Sequence, residues 1–97
     1  MSVVVRHQPK GLTREKYDEV SRRMESAGDW PPEGMDMHVL FGEEGDLRVS
    51  EIWDSEEQFR SFADRLMSVL DEVGVSYSEP EVFQAHELQK RPQAATA

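Results

Sequence analysis

Ninety-seven residues make one small domain with a single core. At 37% hydrophobic and 32% charged, the chain has the balance of a folded globular protein rather than a disordered one. Twenty acidic residues against 11 basic ones leave a formal charge of −9, which repels phosphate backbones and argues against nucleic-acid binding. The absence of cysteine excludes disulfides, thiolate metal sites and a cysteine nucleophile, and fits a reducing compartment. The apolar run Val3 to Val5 is too short for a signal peptide or a membrane span, so a cytoplasmic location with no membrane contact is expected.

Ser2 to His7 reads as a first strand, with three consecutive valines. A Pro- and Gly-containing loop follows. Thr13 is then an N-cap for a helix through about Ala27, with Leu12 and Tyr17 at the spacing of a hydrophobic staple. Tyr17, Val20, Met24 and Ala27 fall on one face of that helix. Gly28 ends it, and residues 29–34 (DWPPEG) form a turn-rich connector.

Met35 to Phe41 and Leu47 to Trp53 predict a hairpin. Two registers are open. A three-residue loop, Glu43-Glu44-Gly45, pairs Gly42 with Asp46 and sets Met35, Met37, Val39 and Phe41 beside Leu47, Val49, Glu51 and Trp53. The alternative sets that stripe against Arg48, Ser50 and Ile52. A one-residue slip exchanges faces, and the coherent apolar set favours the first. It puts His38 opposite Ser50, on the face away from the helices with Asp36, Leu40 and Ile52.

Trp53 runs directly into Asp54-Ser55-Glu56-Glu57-Gln58, where Ser55 and Gln58 match a capping box. The second helix is expected from about Glu56 to Glu72, with a broad apolar stripe from Phe59 to Val73. Val82 to Leu88 reads as a fourth strand. The domain spans residues 1–88, and residues 89–97 read as a flexible tail. The order is β-α-β-β-α-β, an α+β, ferredoxin-like arrangement: a four-stranded antiparallel sheet, strands one and three central, both helices on one face. Val4, Leu40 and Ile52 on the other face ask for a partner, so a homodimer through the sheet is expected.

The junction Ile52-Trp53-Asp54-Ser55-Glu56-Glu57, a late strand carrying His86, and the run Gly11-Leu12-Thr13, Tyr17-Asp18, Pro32-Glu33-Gly34, His38 and Leu47-Arg48-Val49 together resemble the dimeric α/β-barrel superfamily. The likeness is to its small antibiotic-biosynthesis-monooxygenase-like proteins, in an uncharacterised bacterial subgroup, and covers about residues 2 to 88. The resemblance implies paired sheets, and in each subunit a pocket between sheet and helices lined by Trp53. It is weakly specific for activity, because relatives include cofactor-free oxygenases, haem-degrading enzymes, lyases and isomerases. Haem degraders use an asparagine on the first strand, this tryptophan and a histidine on the second helix. Here the asparagine position falls near His7, the chain holds no asparagine, and the second helix holds no histidine.

His7 shares a side with Val3 and Val5 and should approach Glu51 on the neighbouring strand. Histidine trades protons near neutral pH, and an adjacent carboxylate raises its basicity. An acid among Leu47, Val49 and Trp53 needs a partner, so His7 and Glu51 are the candidate catalytic pair; a structural hydrogen bond at a strand end is the plainer alternative. Trp53 and Tyr17, and His86 if it faces inward, are candidate pocket residues. Trp30 reads as a lid or an anchor. No histidine sits at a local ligand spacing, and His7 and His38 are expected on opposite faces, so no metal is expected. Nor does any nucleotide-binding or nucleophile motif occur, and no cofactor is expected. The expectation is a small-molecule-binding protein resembling cofactor-independent monooxygenases that act on aromatic or polyketide-like metabolites. The alternatives are a non-catalytic dimeric module and, third, haem binding.

Overall fold

The computed structural model describes residues 1–91. Six elements follow in order: β1 (Val3–His7), α1 (Arg14–Ser26), β2 (Met35–Glu43), β3 (Asp46–Trp53), α2 (Glu56–Val73) and β4 (Glu81–Gln84). The sheet order is β2-β3-β1-β4, antiparallel throughout, as the βαββαβ pattern requires.

Both helices start where capping oxygens stand. Thr13 Oγ1 accepts the Lys16 N–H at 3.2 Å, and Ser55 Oγ accepts the Gln58 N–H at 3.2 Å. The reciprocal half of the second cap is altered: the Ser55 hydroxyl donates to Gln58 Oε1 at 2.9 Å. Gly74, at φ 84°, closes α2 in the left-handed region that favours glycine. Helices and sheet meet over Val5, Met24, Trp53, Phe59, Phe62 and Leu70, all essentially removed from water. Each such side chain contributes about 1.5–3 kcal/mol of burial.

The hairpin takes the register that the apolar pattern argued against. A two-residue turn, Glu44-Gly45, pairs Glu43 with Asp46 and Gly42 with Leu47. Gly45 supplies the positive φ, 85°. Met37, Val39 and Phe41 therefore lie opposite Ile52, Ser50 and Arg48 on the face the helices leave bare, where they are 44%, 43% and 36% exposed. His38 and Leu40 turn inward against Glu51 and Val49. An irregularity between Met35 and Met37 returns Met35 to Trp53 and to the core. The expectation failed because it required apolar residues to face the helices, whereas the bare side of this sheet is itself apolar.

β4 is shorter than expected, ending at Gln84, and His86 lies beyond it, exposed. Past that point Lys90 Nζ lies 2.5 Å from Asp36 Oδ2, near the start of β2. The expected tail reaches Ala97, and its residues 92–97 lie outside the described residues. Among the described residues no helix is long and apolar enough to cross a membrane.

Candidate functional site

Glu51 is the hub of the site. β3 places it inward between Val49 and Trp53, and it is 2% exposed. Its two oxygens are served separately. Oε2 accepts from His38 Nδ1 at 2.7 Å. Oε1 accepts from the Trp53 indole N–H at 3.0 Å, with His7 Nε2 3.5 Å away. Beyond His38, its Nε2 lies 2.8 Å from the Tyr17 hydroxyl. Four residues from three elements thus form one chain: Trp53, Glu51, His38, Tyr17.

Burial acts most strongly on the Glu51 carboxyl and pushes its pKa up. The bonds from His38, the neighbouring His7 and the Trp53 indole together outweigh it and hold the group down at about 2. Glu51 is therefore a carboxylate at neutral pH, able only to accept. Burial is the leading influence on the Tyr17 phenol as well, and raises its pKa.

His7 is the anomaly. Its side chain is 4% exposed, held edge-on against Phe59, yet among the described residues neither ring nitrogen has a hydrogen-bond partner. A buried imidazole left unsatisfied is costly, and such groups gather where a ligand or proton is handled. His7 borders two hollows. An inner one of about 50 Å³ lies between sheet and helices, with His7, Tyr17, Ser21, His38 and Glu51 as its polar wall. Leu12, Val20, Met24, Phe62, Leu66 and Leu70 make the apolar wall. A wider polar groove of about 370 Å³ opens on the other side, beside Arg6, Gln8, Arg48, Glu79 and Glu81.

The expected pair His7 and Glu51 is brought together. Tyr17 reaches the cavity, with Leu12 from the expected staple beside it. Trp30 lines the cavity too, its ring edge-to-face with His38 at 5.0 Å between centroids. Trp53 does not line it; the indole is fully buried against Phe59 and Phe62 and acts through its N–H on Glu51. His86 is not among the cavity residues, because β4 ends two residues before it. His38 was missed. The slipped register hid it, although a buried Glu51 that needs a second donor was a signal for it. His7 and His38 thus share the helix side rather than facing opposite ways. Among the described residues, no group of three or more histidine, aspartate and glutamate side chains is placed to hold a metal ion.

The architecture is the ferredoxin-like fold of the antibiotic-biosynthesis-monooxygenase-like proteins. No protein-family model and no curated protein sequence matches this chain. Its likeness is to solved structures. SnoaB, a cofactor-independent oxygenase from Streptomyces nogalater, is 19% identical with a TM-score of 0.58, over 93% of this chain and 96% of that one. A protein assigned as an antibiotic biosynthesis monooxygenase from Chloroflexus aurantiacus is 9% identical with a TM-score of 0.63, over 93% and 98%. A heme-degrading protein from Mycobacterium tuberculosis is 18% identical with a TM-score of 0.55, over 93% and 100%. Identities this low show a common fold, and one fold carries many chemistries.

Proposed function

We propose that this chain binds a small aromatic or polyketide-like molecule between its sheet and helices and acts on it as a cofactor-independent oxygenase. His7 takes a proton from the ligand, and the Glu51 carboxylate stabilises the imidazolium that results. Tyr17 and Trp30 hold the planar group. The anion so formed is the state from which a substrate can react with dioxygen without metal or flavin. The observation that carries this reading is His7 itself, buried, unpartnered and beside an ionised carboxylate. The fold shared with a cofactor-independent oxygenase supports it. The reading also takes the protein to be cytoplasmic, and to form a homodimer through the exposed stripe Met37, Val39 and Phe41.

Oxygen uptake tests the proposal, measured over a panel of hydroxylated polycyclic aromatics. Turnover that is lost in both His7→Ala and Glu51→Gln supports it; turnover indifferent to His7 refutes it.

The size of the cavity favours a second reading, a non-catalytic binding or structural module. About 50 Å³ is well below the roughly 300–1,000 Å³ of pockets that enclose drug-sized ligands. The inner cavity admits only the reacting edge of such a ligand unless Trp30 moves aside. Native mass spectrometry of protein from its own host tests whether the pocket is closed: a bare dimer supports the structural module, and a co-purifying ligand excludes it. Haem binding is a third reading, supported by the fold alone, and a Soret band on haem addition tests it.

A further inference from the structure

The geometry points to Tyr17 as a second proton-accepting end of the site, working through His38 on a ligand that carries a weakly acidic O–H, a phenol or an enol. This inference rests on the reading of the cavity as a small-molecule site and names the kind of ligand it takes.

The argument is a proton count. Glu51 is ionised and can only accept, so the 2.7 Å contact to His38 Nδ1 requires the hydrogen to sit on Nδ1. In neutral imidazole the other nitrogen is then bare. With His38 neutral, Nε2, 2.8 Å from the Tyr17 oxygen, accepts from the phenol. The hydroxyl hydrogen then points at His38, which leaves one lone pair of Tyr17 to accept from a ligand, with the Ser21 hydroxyl beside the other. Tyr17, His38, Glu51 and His7 all border the same cavity. One carboxylate therefore backs two proton acceptors: His7 directly, and Tyr17 by way of His38.

The transfer balances. The ligand O–H bond breaks, and its proton passes to the Tyr17 oxygen as the tyrosine's own proton passes to His38 Nε2. The electron pair stays on the ligand oxygen. The ligand gains one negative charge, and His38 becomes an imidazolium against the Glu51 carboxylate. Burial keeps an isolated Tyr17 phenol protonated, so no lasting phenolate is needed on the protein. Tyr17 touches the ligand and is the catalytic residue in this step; His38 takes up the proton that Tyr17 passes on.

The probe is 4-nitrophenol, whose ionised form absorbs visible light, added to the full chain one pH unit below the probe's own pKa. The wild-type protein is expected to raise the ionised fraction of bound probe several-fold. Tyr17→Phe removes a single hydroxyl and leaves the fold intact by circular dichroism. It should lower the phenolate-to-phenol ratio of bound probe about tenfold. His38→Ala should do the same, with recovery on adding free imidazole, which a merely structural histidine would not show. A wild-type ratio in Tyr17→Phe overturns the relay, as does a probe spectrum that wild-type protein leaves unchanged at millimolar concentration. Ionisation abolished by His7→Ala but not by Tyr17→Phe also overturns it, while leaving the His7 and Glu51 reading standing. Lost oxygen uptake with the relay intact defeats only the oxygenase reading.

Discussion

His38 Nδ1 lies 2.7 Å from Glu51 Oε2, and this bond joins the two strands of the hairpin on the side the helices cover. It exists only in the observed register, where residues 38 and 51 stand opposite each other. A one-residue slip would turn His38 outward and leave the buried carboxylate with the Trp53 indole and a 3.5 Å contact to His7. Leaving a buried charge underpaired costs several kcal/mol, more than exposing part of three apolar side chains. At this position polar satisfaction outweighs apolar patterning.

Glu51 makes stability depend on acid. Its folded pKa, about 2, lies below the ordinary carboxylate value of 4.5. Its contribution is thus fully present above that ordinary value and fades as pH falls through the folded one. The interval corresponds to about 3 kcal/mol. Glu51→Gln should be less stable than wild type at neutral pH by about 2–3 kcal/mol and nearly flat across the same acid window. Urea denaturation at several pH values measures both. Parallel curves for the two proteins would mean the carboxylate is not held low by its partners.

His7 should behave as a group the fold tolerates rather than needs. Its ring packs edge-on to Phe59 while both nitrogens go unpaired. His7→Phe keeps the shape and removes two unsatisfied polar atoms. Removing those atoms and losing the His7 help that holds Glu51 low oppose each other, so stability should stay within about 1 kcal/mol while ligand chemistry is lost. Urea denaturation decides: a stability loss of several kcal/mol would make His7 structural.

Much of this was legible in the sequence because local chemistry agreed with the fold. Thr13 and Ser55 announced both helix starts, and the βαββαβ order dictated which strands lie at the centre. The approach of His7 to Glu51 followed, since β1 and β3 are central neighbours, with Val5 opposite Glu51 and His7 opposite Val49. The β2 side of the site was not legible. Pattern reasoning assumes that apolar means inward, and Met37, Val39 and Phe41 break that assumption. The irregularity at Met35 and Met37 then resets the end of the strand, which no periodicity reveals. His86 was misjudged for a different reason: the last cross-strand bond near it is from the Ala85 N–H to the Ser2 carbonyl, and the chain leaves the sheet there.

Trp30 sets the size of ligand the inner cavity accepts. It lies against His38 on one side and Phe62 on the other, half-buried and outside any regular element. Trp30→Ala should enlarge the hollow and lower stability by about 1–3 kcal/mol, below the roughly 3–5 kcal/mol of fully buried aromatic truncations because the ring is only partly buried. Affinity for planar aromatics larger than a single ring should rise, as read by fluorescence or calorimetric titration. Unchanged affinity with the expected stability loss would make Trp30 an anchor for the connector alone.

The apolar side of the sheet should report self-association without disturbing the inner cavity, whose lining holds neither Val39 nor Phe41. Val39 and Phe41 point away from the helices, whereas their neighbours His38 and Leu40 point inward. Val39→Lys and Phe41→Lys introduce a charge where no core contact is lost, so the stability of the isolated subunit should stay within about 0.5 kcal/mol. A dimer that buries this stripe would have to desolvate the new ammonium group, and its dissociation constant should rise at least tenfold. Sedimentation velocity across a concentration series measures it. If both variants keep the wild-type assembly state, the sheet face is not the interface, and an explanation for its exposed Met37, Val39 and Phe41 has to be found elsewhere.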